Sequence, residues 1–335
     1  MSMRIAKVTA ARAAVFLWCF TLGGLALAQG GPVSIGGFPS GTLRIIVPAS
    51  AGGGFDGTAR AIQEVLREDK ITTQPVEVIN APGGGGTIGL SRLVNQYKGD
   101  GSYILVMGLS LVGGMHAAKS TISLDAVTAI AAMTTDYQAI AVANNSKFKT
   151  LKELIDEVKK LPKSVVFAGG PLGSPDHLFL GNIAKSLGVA VKEVPYVVFS
   201  GGDLLPQIMG GHVAAGATSF SELKSNAEGG QLRVLGVAAP ARLPGTNVPT
   251  FKEAGFDLVA ANWRGVIAAP GISENARQAW IQMLTRVRNS ERWKGILKTR
   301  DWNDAFVAGD EFREYLRREN ERVAALVRDL GVVIQ

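Results

Sequence analysis

The stretch that decides the fold is LRIIVPASAGGGFDGTARAIQEVLR, residues 43–67. Leu43–Val47 is almost wholly apolar and β-branched, the composition of a buried strand. Thr58–Arg67 switches to helical spacing, with Ile62, Val65 and Leu66 on one side. Between them runs Pro48-Ala49-Ser50-Ala51-Gly52-Gly53-Gly54-Phe55-Asp56, a short glycine-rich link. A strand joined to a helix by so short a loop is the building unit of an α/β sheet.

The same alternation continues outward. Val76–Ile79 reads as a strand, Ile88–Gln96 as a helix and Tyr103–Met107 as a strand. Short links between them imply parallel strands covered by helices. Further strands are expected at Ala139–Ala143, Val165–Ala168, Val194–Val198, Val213–Ala217, Leu232–Ala238 and Val266–Ala269. Thr150 and Glu153 form a capping box that opens a helix over 151–160. Asp176–Leu187 reads as a helix closed by Gly188. Glu311–Leu330 carries an apolar stripe through Phe312, Tyr315, Leu316, Val323, Leu326 and Val327, read as core packing. About ten strands with interleaved helices predict two α/β lobes. The expected division places 42–138 and about 236–265 in lobe 1, and 139–235 and about 266–310 in lobe 2. The helix over 311–335 is left without a lobe.

Four glycine-rich loops follow strands and precede helices. They are Pro48–Asp56, Pro82–Thr87, Gly169–Ser174 and Ser200–Gly202. In open α/β sheets ligands lie outside the carboxyl ends of the strands. Glycines there expose backbone N–H groups, and helix N-termini carry about half a positive charge. Converging loops of this kind would hold a small anion without many Lys or Arg. Candidate ligand contacts are therefore Ala49, Ser50, Gly52, Gly53, Gly54, Phe55 and Asp56 in the first loop. Ser110 follows the third strand, and Gly170, Gly173, Ser174, Asp176 and His177 form the third loop and the helix start behind it. Ser200, Gly201 and Gly202 complete the set. Asp56 reads either as an N-cap or as a ligand contact. His177 reads either as a donor to a ligand carboxylate or as helix-end packing.

Catalytic patterns are missing. Gly84–Gly89 fits G-x-G-x-x-G, but it sits in the second strand–helix unit, and the next strand ends in Gly108-Leu109-Ser110 with no acid for a ribose hydroxyl. No phosphate-binding P-loop and no G-x-S-x-G elbow occurs. His116, His177 and His212 are far apart, and the one cysteine is Cys19, so no metal site is expected.

The N-terminus reads as an export signal. Met1–Arg12 is basic, Ala13–Leu27 is apolar, and Ala26-Leu27-Ala28 offers small residues two apart before Gln29. The apolar run is short for a bilayer span, so cleavage after residue 28 is expected, followed by a polar leader over 29–41. Three of the 35 basic residues lie in that signal, which leaves 32 basic against 28 acidic, a net of +4. No Lys/Arg run marks a nucleic-acid surface. The full sequence is 47% hydrophobic, and the chain left after cleavage is long enough to build a core without disulfides.

Longer motifs carry a resemblance. They are FPSGTLRIIVPASAGGGFD at 38–56, VINAPGGGGTIG at 78–89, VVFAGGPLGSPDHL at 165–178, Val194-Pro195-Tyr196, IMGGHV at 208–213, LRVLGVAAPARLPGTNVPTFKEAG at 232–255 and Asn262-Trp263-Arg264-Gly265. Over about residues 38–335 the chain resembles the extracytoplasmic substrate-binding proteins of tripartite tricarboxylate transporters, the TctC or Bug family. The resemblance implies an α/β fold of two lobes, the type II periplasmic-binding-protein or Venus-flytrap class, with a ligand cleft between them. It implies a periplasmic, soluble protein that binds a di- or tricarboxylate or an aromatic acid, hands it to membrane transporter subunits, and is no enzyme. It also implies that the first glycine loop holds one carboxylate through backbone groups and waters. No cofactor, metal or nucleic acid is expected, and a monomer is. A ligand-sensing module for a signalling receptor is the alternative, and a nucleotide-dependent enzyme a more distant one. The chain departs from many relatives in two places. Val213–Ala217 carries no acid, and Val198-Phe199-Ser200 stands where Lys-Gly is common. His177 or Arg264 is then the candidate partner for the ligand's far end.

Overall fold

A computed structural model describes residues 31–199 and 203–331. The expected signal peptide, Cys19, Ser200–Gly202 and the last four residues lie outside the described residues.

The described residues form ten strands in one strongly divided sheet. β1 (Leu43–Val47) lies between β2 (Val76–Asn80) and β3 (Tyr103–Gly108), both parallel to it, with Ile45 opposite Val78 and Ile104. β9 (Ala261–Ala268) runs antiparallel to β3 and pairs on its other side with β4 (Thr128–Ala143). β10 (Asn303–Ala308) also pairs with β4. Beyond Tyr137 the partners of β4 change. There it pairs with β7 (Ala215–Ser219) and β8 (Leu232–Val237), while β5 (Phe167–Gly169) lies parallel to β7 and to β6 (Tyr196–Val198). At 16 residues, β4 is about 50 Å long. It serves both halves of the sheet.

Each half is covered by helices on both faces, which makes two lobes. In the first, α1 (Gly54–Glu68), α8 (Glu274–Asn289) and α9 (Glu291–Thr299) cover one face, burying Ile62, Leu66, Trp280 and Trp293 against Ile45 and Val106. α2 (Thr87–Ser91), α3 (Leu109–Ala117) and α10 (Gly309–Asp329) cover the other, around Leu105, Trp263 and Phe312. In the second lobe α4 (Leu151–Lys160) and α5 (Pro175–Ser186) pack on Ile140, Phe167 and Ala217. α6 (Leu204–Met209) and α7 (Phe220–Glu228) close its opposite face. Fully burying a Leu or Phe side chain stabilises by about 1.5–3 kcal/mol, and each layer holds several.

Three local expectations change. The helix over 88–96 is α2 followed by a π-helical turn at Arg92–Gln96. The strand expected at Val266–Ala269 begins five residues earlier, at Ala261. The packing also reverses part of the expected division. Residues 266–310 contribute Val266, Trp280, Trp293 and Trp302 to the core of the first lobe, not the second. Ala238 and Phe251, expected in the first lobe, pack in the second-lobe core beside Leu235. The reason is that the chain returns to the first lobe through β9, so every later helix lands on that lobe's sheet. The stripe of α10 packs there too, through Phe312, Leu316 and Val323. The capping box at Thr150 and Glu153 is present.

Candidate functional site

The carboxyl ends of β1, β2, β3 and β5 carry the described loops and helix starts singled out in the sequence. The first loop, Ala49–Asp56, is held from within. Asp56 is buried and accepts from Gly52 N at 3.0 Å, Arg60 Nε at 2.8 Å and Asn80 Nδ2 at 3.0 Å. Asn80 Nδ2 also donates to the Ala49 carbonyl at 3.1 Å. The Arg60 hydrogen bond, with those from Gly52 and Asn80, holds the Asp56 carboxyl down at about 2 in spite of its burial. Asp56 is the third residue of α1 and not its N-cap; that position is Gly53, which offers no side-chain cap. The carboxylate is spent on shaping the loop, which leaves Ser50, Gly52 and Gly53 exposed at a helix N-terminus.

Arg264 reaches this N-terminus from β9, where it pairs with Gly108 of β3 and Thr134 of β4. A Cβ added to Gly54 would stand 2.7 Å from Arg264 Nη2 and 3.0 Å from Nε. Only glycine lets the guanidinium lie against the first turn of α1. Arg264 is 5% exposed, its Nη1 is buried with no hydrogen-bond partner, and its guanidinium lies 5.2 Å over the Trp302 ring. Arg300 stacks on the same ring at 4.9 Å. A positive helix end and a buried cation thus meet at Gly54.

The third loop is also held from within. Ser174 caps α5 by accepting from His177 N at 3.4 Å, followed by Pro175 at the first helical position. Asp176 accepts from Gly170 N at 2.8 Å, and Tyr196 Oη donates to the Gly170 carbonyl at 2.7 Å. His177 Nδ1 accepts from Gly173 N at 3.3 Å, and burial lowers the ring's pKa to about 4. The imidazole is therefore neutral, with its Nδ1 committed to the loop. Gly173 lies against Gly113 of α3, so close that no side chain fits at Gly113, and the two lobes touch there. Ser110 is half-buried as the second residue of α3.

The sequence reading missed a polar cluster where the lobes join. Asp136 is fully buried at the point where β4 changes partners. It accepts from Ser221 Oγ and, at 2.7 Å, from Tyr137 N. Burial pushes its carboxyl up to about 6, against the pull of Arg264 and Ser221. Burial and then Glu222 raise Asp176 to about 7. Glu222 is an exposed residue in the first turn of α7 that accepts from Thr218 Oγ1 at 2.9 Å. Gln138, with its amide turned to suit its neighbours, donates to Asp176 Oδ1 at 3.1 Å and to the Thr218 carbonyl at 3.3 Å. One signal was available: Asp136 is the only ionisable acid or base in the 16-residue strand TAIAAMTTDYQAIAVA apart from the phenol of Tyr137.

This two-lobed architecture has known counterparts. The sequence profile of the tripartite tricarboxylate transporter family receptors, TctC, matches residues 58–332. The chain belongs to this receptor family. It is 27% identical to the protein BugT of Bordetella pertussis (strain Tohama I) over 317 residues, covering 91% of this chain and 94% of that one. Among solved structures it is similar to MatC of Rhodopseudomonas palustris with bound malate, at 23% identity and a TM-score of 0.74. That match covers 87% of this chain and all of the other. A second R. palustris protein, solved with adipate, matches at 21% identity and a TM-score of 0.76, over 88% and 99% of the two chains. The fold is shared with a TctC solute-binding protein from Polaromonas and with the periplasmic binding protein BugD. Among the described residues of this chain no helix is long and apolar enough to cross a membrane.

Proposed function

We propose that this receptor captures a small organic carboxylate between its lobes and presents it to the membrane subunits of a tripartite transporter. One observation carries the reading. Arg264, buried and with an unpartnered Nη1, lies against the uncapped N-terminus of α1 at Gly54. Two positive features this close, with exposed N–H-bearing glycines beside them, fit one carboxylate. MatC with malate and the adipate-bound R. palustris protein share the fold and carry dicarboxylates in it. The rest of the reading extends the same proposal: a cleaved signal over residues 1–28, as the sequence pattern suggests, and, by resemblance to the family, a monomer in the periplasm that releases the acid unchanged.

Thermal-shift and calorimetric screening of aliphatic, hydroxy, amino and aromatic acids tests this. A ligand at 100 times its Kd raises the unfolding free energy by about 2.7 kcal/mol. A screen in which no carboxylate raises the melting temperature overturns the proposal. So does a ligand that co-purifies and carries no acid group.

A further inference from the structure

We infer that Trp302 is a positioning residue of the ligand site: the face of its indole holds the Arg264 guanidinium at the N-terminus of α1, in the pose that receives a carboxylate. The inference rests on the carboxylate reading above and adds what keeps its arginine in place.

An arginine side chain is long and rich in rotamers, so a fixed guanidinium has something that holds it. Hydrogen bonds do not hold this one. Its Nη1 is buried without a partner, and among the described residues no carboxylate forms an ion pair with it. Asp136 is its neighbour on the sheet, because β4 sets Thr134 opposite Arg264 and Asp136 opposite Asn262. Both Asp136 oxygens are taken, one by Tyr137 N and the other by Ser221 Oγ. That carboxylate therefore attracts the guanidinium through space without a bond to fix its direction. The first turn of α1 lies against the guanidinium at Gly54, but a helix N-terminus is positive and repels a cation. The remaining attractive contact is the Trp302 ring, whose centroid lies 5.2 Å from Arg264 Cζ.

Trp302 is itself fixed by the way α9 ends. The last turn closes as a Schellman motif: Trp302 N donates to the Leu297 carbonyl at 2.9 Å and Asp301 N to the Lys298 carbonyl at 3.4 Å. Asp301 takes the left-handed conformation the motif needs, at φ 53°. Leu297 and Trp302 both lie in the core of the first lobe. Gly54 and Gly57, three residues apart on one face of α1, make room for the arrangement. A Cβ at Gly57 would stand 2.5 Å from Arg300 Nη1 and 3.7 Å from Trp302 Cη2, just as one at Gly54 would strike Arg264. Arg300 stacks on the same ring at 4.9 Å. The indole and the two guanidiniums thus fill the face of α1 that the glycines leave bare.

The consequence is an arginine that waits in place. Apparent affinity falls with the fraction of molecules whose Arg264 is in the competent pose, and the indole keeps that fraction high. Trp302 is 9% exposed, so it acts through Arg264 and not on the ligand.

The test is calorimetry on the mature chain with malate and with adipate, comparing wild type, Trp302→Phe and Trp302→Leu. Both substitutions lower the ligand-free melting temperature, since each leaves a cavity. Trp302→Phe keeps an aromatic face and should bind within about threefold of wild type. Trp302→Leu keeps only apolar bulk and should bind about tenfold more weakly. Wild-type affinity in Trp302→Leu overturns the inference and leaves the carboxylate reading standing. An equal loss in the Phe and Leu variants also overturns it, because packing alone would then explain the effect. A second measurement needs no change in the core. In the NMR spectrum of the ligand-free wild-type chain, the Arg264 Nε–H signal, identified by its loss in Arg264→Met, should be ordered and shifted by the indole ring current. A mobile, unshifted signal overturns the inference. Binding of neither acid by the wild-type chain, in a screen extended to hydroxy, amino and aromatic acids, overturns the carboxylate reading and this inference with it.

Discussion

In the proposed site, Arg264 is the residue on which carboxylate binding turns. A buried guanidinium stays charged, and an unpaired buried charge costs several kcal/mol. Stacking on Trp302 and the field of Asp136 offset part of that. The remainder is available to a ligand carboxylate. Arg264→Met removes the charge and keeps the apolar stem. The ligand-free protein should then melt at the same temperature or higher, while every carboxylate loses its stabilising shift, an affinity loss of about 100-fold or more. A strongly lowered ligand-free melting point with binding retained would place the arginine in a purely structural role. Gly53 gives a complementary experiment. A Cβ there would have only the Ser50 carbonyl for a neighbour, at 4.0 Å. Gly53→Val should therefore fold normally, yet block the approach of a ligand to the backbone. Retained affinity would move the site away from this loop. Asp56 is different again. Its folded pKa near 2 lies below the usual 3.8, so its contribution is present above about pH 4 and lost as pH falls through about 2. Asp56→Asn should cost about 1–2 kcal/mol at neutral pH, read from the denaturation midpoint.

At the scale of elements, β4 carries the argument. Asp136 and Asp176 are raised above their unfolded values, which reverses the sign found for Asp56. Stability from these groups is fully present below about pH 4 and is lost as pH rises through about 6 and about 7. Asp136→Asn should thus stabilise the ligand-free protein near about pH 8 and change little near about pH 4, since an amide can still bond Tyr137 N and Ser221 Oγ. A melting-temperature profile across that range checks it; destabilisation at the upper end would show that the charged form is the one the fold requires. The elements also show what could be read in advance. The β1–loop–α1 unit was legible because its period changes from two to 3.6 across a run of glycines. The Ser174–His177 cap was legible as a helix start, although not as the self-contained network it is. The first half of β4 was not. Ala, Thr and Met in TAIAAMTT give neither alternation nor a β-branched run, and its pairing with β9 and β10 is set by residues more than 120 positions later. The grouping of Asp136 with Asp176 and Glu222 was invisible for the same reason: it arises only because α5 and α7 begin where β4 changes partners.

On the proposed reading, a ligand in that seam changes the relation of the lobes of the molecule. Among the described residues, β4 and the chain leading into β9 run across it side by side, and Gln138 N donates to the Ala260 carbonyl at 3.0 Å. The pairing of β4 with its neighbours is irregular on both sides of Asp136. Register shifts occur between Ala132 and Thr134 and between Ile140 and Ala141, places where a strand bends and twists. Two ion pairs flank the seam, Lys224 with Asp301 at 2.5 Å and Lys185 with Asp329 at 2.6 Å. The first is three-quarters buried and the second exposed, so neither locks the lobes strongly. A ligand that binds the α1 N-terminus and also touches the second lobe has more contacts when the lobes are closer, and only such a difference can shift the equilibrium. A compact chain of this length has a radius of gyration of about 19 Å. Small-angle scattering with a saturating ligand should show a fall of about 1 Å. The fall should be absent in Arg264→Met, which removes one of the two anchors, and preserved in Lys224→Ala, which removes a contact outside the ligand's reach. An unchanged radius in the wild-type chain would mean that the cleft is already closed without ligand, and that it meets the ligand as a preformed slot.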